Sequence, residues 1–81
     1  MIIEQSVRLT YPARLLKQPL IHGLIRDFDL LTNILEAHLT PQGGYLVVAL
    51  RGEEQRLGEG LRWMEGLGVE VEILSEAKEE A

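Results

Sequence analysis

Short apolar and alternating stretches recur four times along the chain, and they predict four β-strands. Pro12 closes the first stretch, because proline offers no N–H to a sheet ladder. The third stretch is apolar on both faces, as a central strand is. The four predicted strands cover residues 5–11, 30–39, 45–50 and 69–73.

Between these strands, apolar residues recur with helical spacing and predict two amphipathic helices. The first helix covers residues 19–28, with Pro19 at a first-turn position that tolerates proline. The second begins near Gly52 and ends at Gly68, a residue type typical of the position just past a helix. Its core-facing stripe consists of Leu57, Leu61, Met64 and Leu67.

The resulting order, β-α-β-β-α-β, predicts a ferredoxin-like α+β sandwich. We expect a four-stranded antiparallel sheet with both helices on one face, and a hairpin at residues 40–44, where proline and glycine cluster. One domain covers residues 1–81. Residues 5–74 form its core, and the charged residues 75–81 are expected to fray.

The sheet face without helices is predicted to be apolar. By strand parity, Tyr45, Val47 and Ala49 lie on it, and so does the Asn33 side of the second strand. An uncovered apolar face indicates a contact surface, most simply for a second copy of the chain. The alternative is that Tyr45 and a few long side chains cover the patch within one chain. The parity set of the second strand is Leu31, Asn33, Leu35, Ala37 and Leu39.

Composition narrows the possible functions. The chain has 81 residues, with 13 acidic and 8 basic side chains, a net charge of −5 and no cysteine. The negative charge argues against nucleic acid as a partner, and the lack of cysteine excludes disulfides and CxxC metal or redox sites. The longest apolar run, residues 46–50, is too short to span a bilayer. We therefore expect a cytoplasmic protein that does not insert into membranes.

The polar residues give no sign of catalysis, of a metal site or of a cofactor. His22 and His38 are the two histidines, and they lie on different elements without metal-ligand spacing. No GxSxG pattern accompanies Ser6 or Ser75. An enzyme is therefore the class of function that the sequence favours least.

Asn33 is the polar residue that stands out, because the parity of the second strand places it among leucines. Its amide offers both a hydrogen-bond donor and an acceptor, which match the carboxylate and ammonium of an amino acid. A structural asparagine that bonds a neighbouring backbone group, or that is exposed at the start of the strand, explains the pattern equally well.

The chain resembles the NIL domain family, which is named for the tripeptide Asn33-Ile34-Leu35. The resemblance covers nearly the whole chain and rests on an ordered set of segments. Besides the tripeptide, they are Leu9-Thr10-Tyr11-Pro12, Pro19-Leu20-Ile21, Gly44-Tyr45-Leu46-Val47-Val48, Leu50-Arg51-Gly52 and Gly68-Val69-Glu70-Val71-Glu72.

The resemblance implies a ferredoxin-like fold and a regulatory role. Family members form the C-terminal part of methionine importers, where paired domains bind methionine, or are fused to ferredoxin modules. This chain has neither a GxxxxGK[ST] ATPase motif nor cluster cysteines. The expected function is an amino-acid sensor, for methionine or a related sulfur compound, at a homodimer interface. The expected ligand-site residues are Asn33, Ile34, Leu35 and Leu31. The alternative is a ligand-free module that docks on an enzyme or transporter of sulfur amino-acid metabolism.

Overall fold

The computed structural model describes residues 1–75 and 78–79, which form one antiparallel sheet and two α-helices. The sheet order is β2-β3-β1-β4, and a short β5 also pairs with β1. This arrangement confirms the predicted ferredoxin-like α+β fold and its β-α-β-β-α-β order, with β5 added. The elements are β1 Ile2–Pro12, α1 Leu20–Phe28, β2 Leu31–Thr40, β3 Gly43–Glu53, α2 Glu54–Leu67, β4 Glu70–Ile73 and β5 Lys78–Glu79.

The central pair of strands, β1 and β3, is longer than predicted. The two strands pair along their whole length, from Ile2 opposite Glu53 to Pro12 opposite Gly43. Backbone hydrogen bonds join neighbouring strands whatever the polarity of their side chains. The apolar pattern therefore identified only the middle of each strand.

The core lies between the helices and one face of the sheet. Val7 and Leu9 of β1 lie opposite Val48 and Leu46 of β3, so these side chains share the face that the helices cover. The predicted α2 stripe is confirmed, since three of its four residues are buried and Leu67 packs against them. The core is formed by Ile3, Val7, Leu9, Tyr11, Leu15, Leu20, Leu24, Leu30, Leu46, Val48, Leu50, Leu57, Leu61, Met64 and Val69.

Gly60 lets α2 approach α1 closely. A β-carbon at this position would lie 3.0 Å from Cδ2 of Leu24 and 3.1 Å from Cδ1 of Leu30. An alanine here would require these leucine side chains to move by a few tenths of an ångström, and a larger residue would require more. The glycine that weakens α2 by propensity is thus favoured by packing.

The hairpin between β2 and β3 is tighter than the predicted loop at residues 40–44. Only Pro41 and Gln42 separate the strands. The Thr40 hydroxyl donates to the Gly43 carbonyl at 3.0 Å and accepts from the Gln42 N–H at 3.3 Å. Gly43 has a φ of +124°, which favours glycine at this position.

A β-bulge at Leu35 changes the predicted faces of β2. Ile34 lies opposite Val48 and Glu36 lies opposite Val47, so that Leu35 is an extra residue without a partner position on β3. One extra residue reverses the parity of everything after it. The prediction that Leu35, Ala37 and Leu39 share a face with Asn33 is therefore wrong.

After β4 the chain continues along β1. The Leu74 N–H donates to the Ser6 carbonyl at 2.9 Å, and the Ser6 N–H donates to the Ser75 hydroxyl at 3.1 Å. Lys78–Glu79 then pairs with Ile3 and Glu4 as β5. Of the tail that was expected to fray, residues 76–77 and 80–81 lie outside the described residues, and the described part lies beside β1.

Candidate functional site

Asn33 lies on β2, the strand at one edge of the sheet. It is opposite Ala49 of β3, which places it on the face that the helices leave open. Its side chain is exposed rather than buried. Within one chain, the amide therefore loses no hydrogen bonds to water. Both its donor and its acceptor are accessible to a ligand or to another chain.

The four predicted site residues do not converge on one point of a single chain. Leu31, opposite Arg51, shares the open face with Asn33. Ile34, opposite Val48, is on the helix side of the sheet, and Leu35 is the bulge residue. Asn33 and Leu31 can thus contact one small molecule on the open face, whereas Ile34 belongs to the other face.

Tyr45, Val47 and Ala49 lie on the open face as predicted. The face as a whole is largely polar, however, so the prediction that it is apolar is wrong. The bulge brings Glu36 and His38 onto this face in place of Leu35, Ala37 and Leu39. The strand registers assign to this face Ile2, Glu4, Ser6, Arg8, Thr10 and Pro12 of β1, Leu31, Asn33, Glu36, His38 and Thr40 of β2, Gly43, Tyr45, Val47, Ala49, Arg51 and Glu53 of β3, and Glu70 and Glu72 of β4.

Four of the exposed large apolar side chains lie along β2. Among the described residues, β2 pairs with β3 on one side only. An exposed, unpaired and apolar edge strand readily pairs with another chain. The large apolar side chains concerned are Leu31 (65% exposed), Ile34 (52%), Leu35 (55%) and Leu39 (52%).

At the hairpin end of the open face, charged and aromatic side chains interact across all four main strands. The ring centroids of His38 and Tyr45 are 5.8 Å apart, and the Arg8 guanidinium lies 5.2 Å from the Tyr45 ring centroid. Arg8 Nη1 is also 3.8 Å from Glu72 Oε2. A hydrogen bond to Glu36 raises the pKa of the Tyr45 hydroxyl.

The opposite end of the open face contains a cavity of about 390 Å³, lined by Ile2, Asp29, Leu31, Arg51 and Gly52. Leu31 is the predicted site residue in this cavity. Sequence reasoning missed Ile2, Asp29 and Arg51, which come from β1, from the end of α1 and from β3. Only the strand registers, with Arg51 opposite both Leu31 and Glu4, reveal that these segments meet.

A second cavity, of about 340 Å³, lies between the end of α1 and the start of α2, and it contains no predicted site residue. Two of the charged groups that line it, Asp27 and Glu53, have partners nearby. Arg26 bonds Asp27 at 2.8 Å, which holds the pKa of the Asp27 carboxyl below its usual value, and the N-terminal ammonium bonds Glu53 at 2.8 Å. The remaining lining residues are Phe28, Gln55, Arg56 and Glu59.

Neither a metal cluster nor a membrane span is found in the described part of the chain. No three histidine, aspartate or glutamate side chains within residues 1–75 and 78–79 gather so that they could hold a metal ion. Over the same residues, neither helix has the length and apolar character needed to cross a bilayer.

Comparison with known proteins identifies the family. The sequence model of the NIL domain family matches residues 5–73 of this chain. The chain belongs to the NIL domain family. A curated relative, the methionine import ATP-binding protein MetN of Coxiella burnetii, is 33% identical over 72 residues. The match covers 84% of this chain but 20% of that protein, so the NIL chain spans about a fifth of its relative's length.

Two solved structures share the fold. The C-terminal domain of an ABC transporter ATP-binding protein from Enterococcus faecalis has a TM-score of 0.79 at 24% identity, over 88% of this chain and 83% of that one. A de novo designed protein, Foldit4, has a TM-score of 0.58 at 10% identity over the full length of both chains. At these identities the likeness concerns the fold alone.

Proposed function

We propose that this NIL domain is a regulatory domain that binds a free amino acid at an interface between two copies of the chain. One observation carries the proposal. The family's motif asparagine, Asn33, is exposed on edge strand β2, on the same face as the exposed Leu31. The amide would hydrogen-bond the polar head of the ligand, and Leu31 would pack against its side chain.

Methionine or a related sulfur compound is the proposed ligand class. The support is the similarity to a protein that, by its name, takes part in methionine import. Because the aligned part is a fifth of that protein, the import activity is not carried over to this chain. The proposed role is regulation of a transporter or enzyme subunit in trans, without catalysis by this domain. We place it in the cytoplasm, where an ATP-binding partner finds ATP.

The exposed edge of β2 supports the pairing of two copies. Antiparallel pairing of two β2 strands about a twofold axis would extend the sheet and cover the apolar side chains at the edge. Because Ile34 and Asn33 are consecutive residues of a strand and lie on opposite faces, the same pairing would bury Ile34 against the partner and leave Asn33 beside the joint open face. The ligand would thus bind next to the interface.

Titration calorimetry with a panel of free amino acids tests the proposal. We expect heat of binding with L-methionine or homocysteine, and an affinity at least about tenfold lower for Asn33→Ala, since a hydrogen bond to a charged group is lost. Gln42→Ala, which removes an exposed amide in the hairpin, is the matched control and should bind like the wild type. A wild-type protein that shows no heat with any common amino acid would refute the proposal.

A ligand-free interaction module is the second candidate, and the same unpaired edge of β2 favours it. An extended strand of an enzyme or transporter would add to β2 as a second copy does. In that case, calorimetry would show no amino-acid binding, and the Ile34 side of β2 would still be needed for association with the partner protein.

A further inference from the structure

β4 lies at the edge of the sheet away from β2, and its outer side has no strand partner among the described residues. The Leu74 N–H donates to the Ser6 carbonyl of β1 at 2.9 Å. In an antiparallel ladder, alternate residues direct their backbone groups to the same neighbour, so the even-numbered residues of β4 also bond β1. Val71 and Ile73 therefore direct their N–H and C=O groups outwards, where a further strand can bond them.

The side chains beside this edge differ between the two faces of the sheet. On the helix face, Val71 packs against the core and Ile73 is 49% exposed. On the open face, Glu70 and Glu72 are both exposed. Glu72 is 3.8 Å from Arg8, with 55% of its side chain still exposed, and Glu70 has no ion-pair partner among the described residues. The edge thus combines apolar positions on one face with negative charge on the other.

A second copy of the chain is poorly matched to this edge. Two β4 strands paired about a twofold axis at the middle of the strand would place glutamates of the two copies opposite each other. Like charges directly opposite each other are destabilising. The edge strands β2 and β4 contain neither lysine nor arginine. Charge therefore directs the β4 edge to a different protein.

We propose that the outer edge of β4 binds an extended, basic segment of a partner protein by antiparallel strand addition. Lysine or arginine side chains of the segment would lie beside Glu70 and Glu72, and apolar side chains between them would pack on Val71 and Ile73. In this mode of recognition, main-chain hydrogen bonds supply affinity and alternate side chains supply specificity. The inference rests on the proposed regulation of a partner in trans, and it is independent of amino-acid binding.

The two edges of the sheet would then serve different partners. In the order β2-β3-β1-β4, three strand spacings, or roughly 14 Å, separate one edge from the other. Two chains joined at β2 would therefore present one β4 edge at each end of the joint sheet. A regulated subunit would bind at either end without displacing a copy of this chain.

Fluorescence anisotropy with a labelled peptide tests the inference. The probe is a terminally blocked peptide of about eight residues in which lysine and valine alternate, long enough to cover the edge. Glu70→Gln and Glu72→Gln, made together, remove both carboxylates beside β4. Glu36→Gln and Glu59→Gln, made together, are the matched control, because they change the net charge equally at exposed positions on β2 and α2.

We expect the double variant at β4 to bind the peptide about three- to tenfold more weakly than the wild type, since two exposed ion pairs are lost. The control should bind close to the wild type, because its exchanged carboxylates do not border β4. The difference between the two variants separates recognition at this edge from attraction by the net charge of the chain.

The peptide backbone supplies a test that leaves the protein unchanged. Opposite residues of an antiparallel pair lie on the same face, so the valines of the peptide would lie opposite Val71 and Ile73 and donate their N–H groups to them. Methylation of the valine nitrogens should therefore abolish binding. Methylation of the lysine nitrogens should leave it close to that of the unmodified peptide, because those N–H groups point away from β4.

Three results would overturn the inference. Equal binding of the two N-methylated peptides would mean that no strand is added to the sheet. Equal weakening by the β4 variant and the control would mean that the charge acts from elsewhere on the surface. A chain that binds methionine but not the peptide would refute this inference alone and leave the proposed function standing.

Discussion

Strands β2 and β3 are the two arms of one hairpin and are both rich in apolar residues, yet their surroundings differ. In β3, Val48 and Leu50 are 0% exposed beneath the helices, between neighbouring strands on both sides. In β2, Ile34 and Leu35 are 52% and 55% exposed. Position in the sheet, rather than apolar character, decides which residues form the core. The apolar residues left over on β2 mark the surface available for contact with another molecule.

The sharpest contrast between the arms is expected from leucine-to-alanine substitutions. Leu50→Ala removes a fully buried side chain and should lower the free energy of unfolding by about 2–5 kcal/mol, or leave the chain unfolded. Leu35→Ala should change it by about 0.5 kcal/mol or less at low protein concentration. Urea denaturation measures both. Similar losses for the two variants at low concentration would contradict the comparison.

A charge on edge strand β2 should weaken self-association rather than destabilise the fold. Ile34→Lys places an ammonium in the proposed interface and should weaken self-association at least about tenfold, since a buried charge without a partner is costly. Ile73→Lys on β4, at the other side of the sheet, is the matched control because Ile73 is similarly exposed, at 49%. Sedimentation velocity over a range of concentrations compares them. Equal self-association of both variants would show that β2 is not the interface.

The inner strands also contain a polar group that burial does not favour. Tyr11 of β1 is buried, and its hydroxyl has no hydrogen-bond partner among the described residues. Tyr11→Phe should therefore not destabilise the protein, and stability should rise by up to about 1 kcal/mol at neutral pH. Thermal denaturation provides the comparison. A loss of more than about 1 kcal/mol would mean that the hydroxyl has a partner.

Ionisation of Tyr11 should also lower the free energy of unfolding at alkaline pH. Burial raises the pKa of Tyr11 from 10.0 to about 12, so the unfolded chain releases this proton before the folded one does. Stability from this group is complete below pH 10 and is lost as pH rises towards 12, with about 1 kcal/mol lost by about pH 11. In denaturation experiments, the stability of Tyr11→Phe should therefore fall less than that of the wild type between pH 10 and 12. The same fall in both proteins would show that Tyr11 does not cause it.

The smallest effect is expected on the open face, between inner strand β1 and edge strand β4. The Arg8–Glu72 contact is 3.8 Å long, and both side chains are about half exposed. A double-mutant cycle with Arg8→Gln and Glu72→Gln should therefore give a coupling below about 0.5 kcal/mol. A coupling several times larger would mean that the open face stabilises the fold as the helix face does.

The sequence predicted the element order, the helix stripes and the ferredoxin-like fold, because the local period of apolar residues determines them. It failed on the faces of β2 because the bulge at Leu35 depends on pairing with β3, which no local pattern records. The cavity was missed for a related reason. Asp29 and Arg51 are far apart in the sequence, and their segments meet only in the folded sheet, where Gly52 permits a close approach.

The oligomeric mass in solution tests the central claim most directly, namely that a second copy covers β2 when the ligand is bound. Sedimentation equilibrium with millimolar L-methionine should give twice the chain mass of 9.1 kDa for the wild type, and close to 9.1 kDa for Ile34→Lys. A wild-type mass of 9.1 kDa under these conditions would contradict the account.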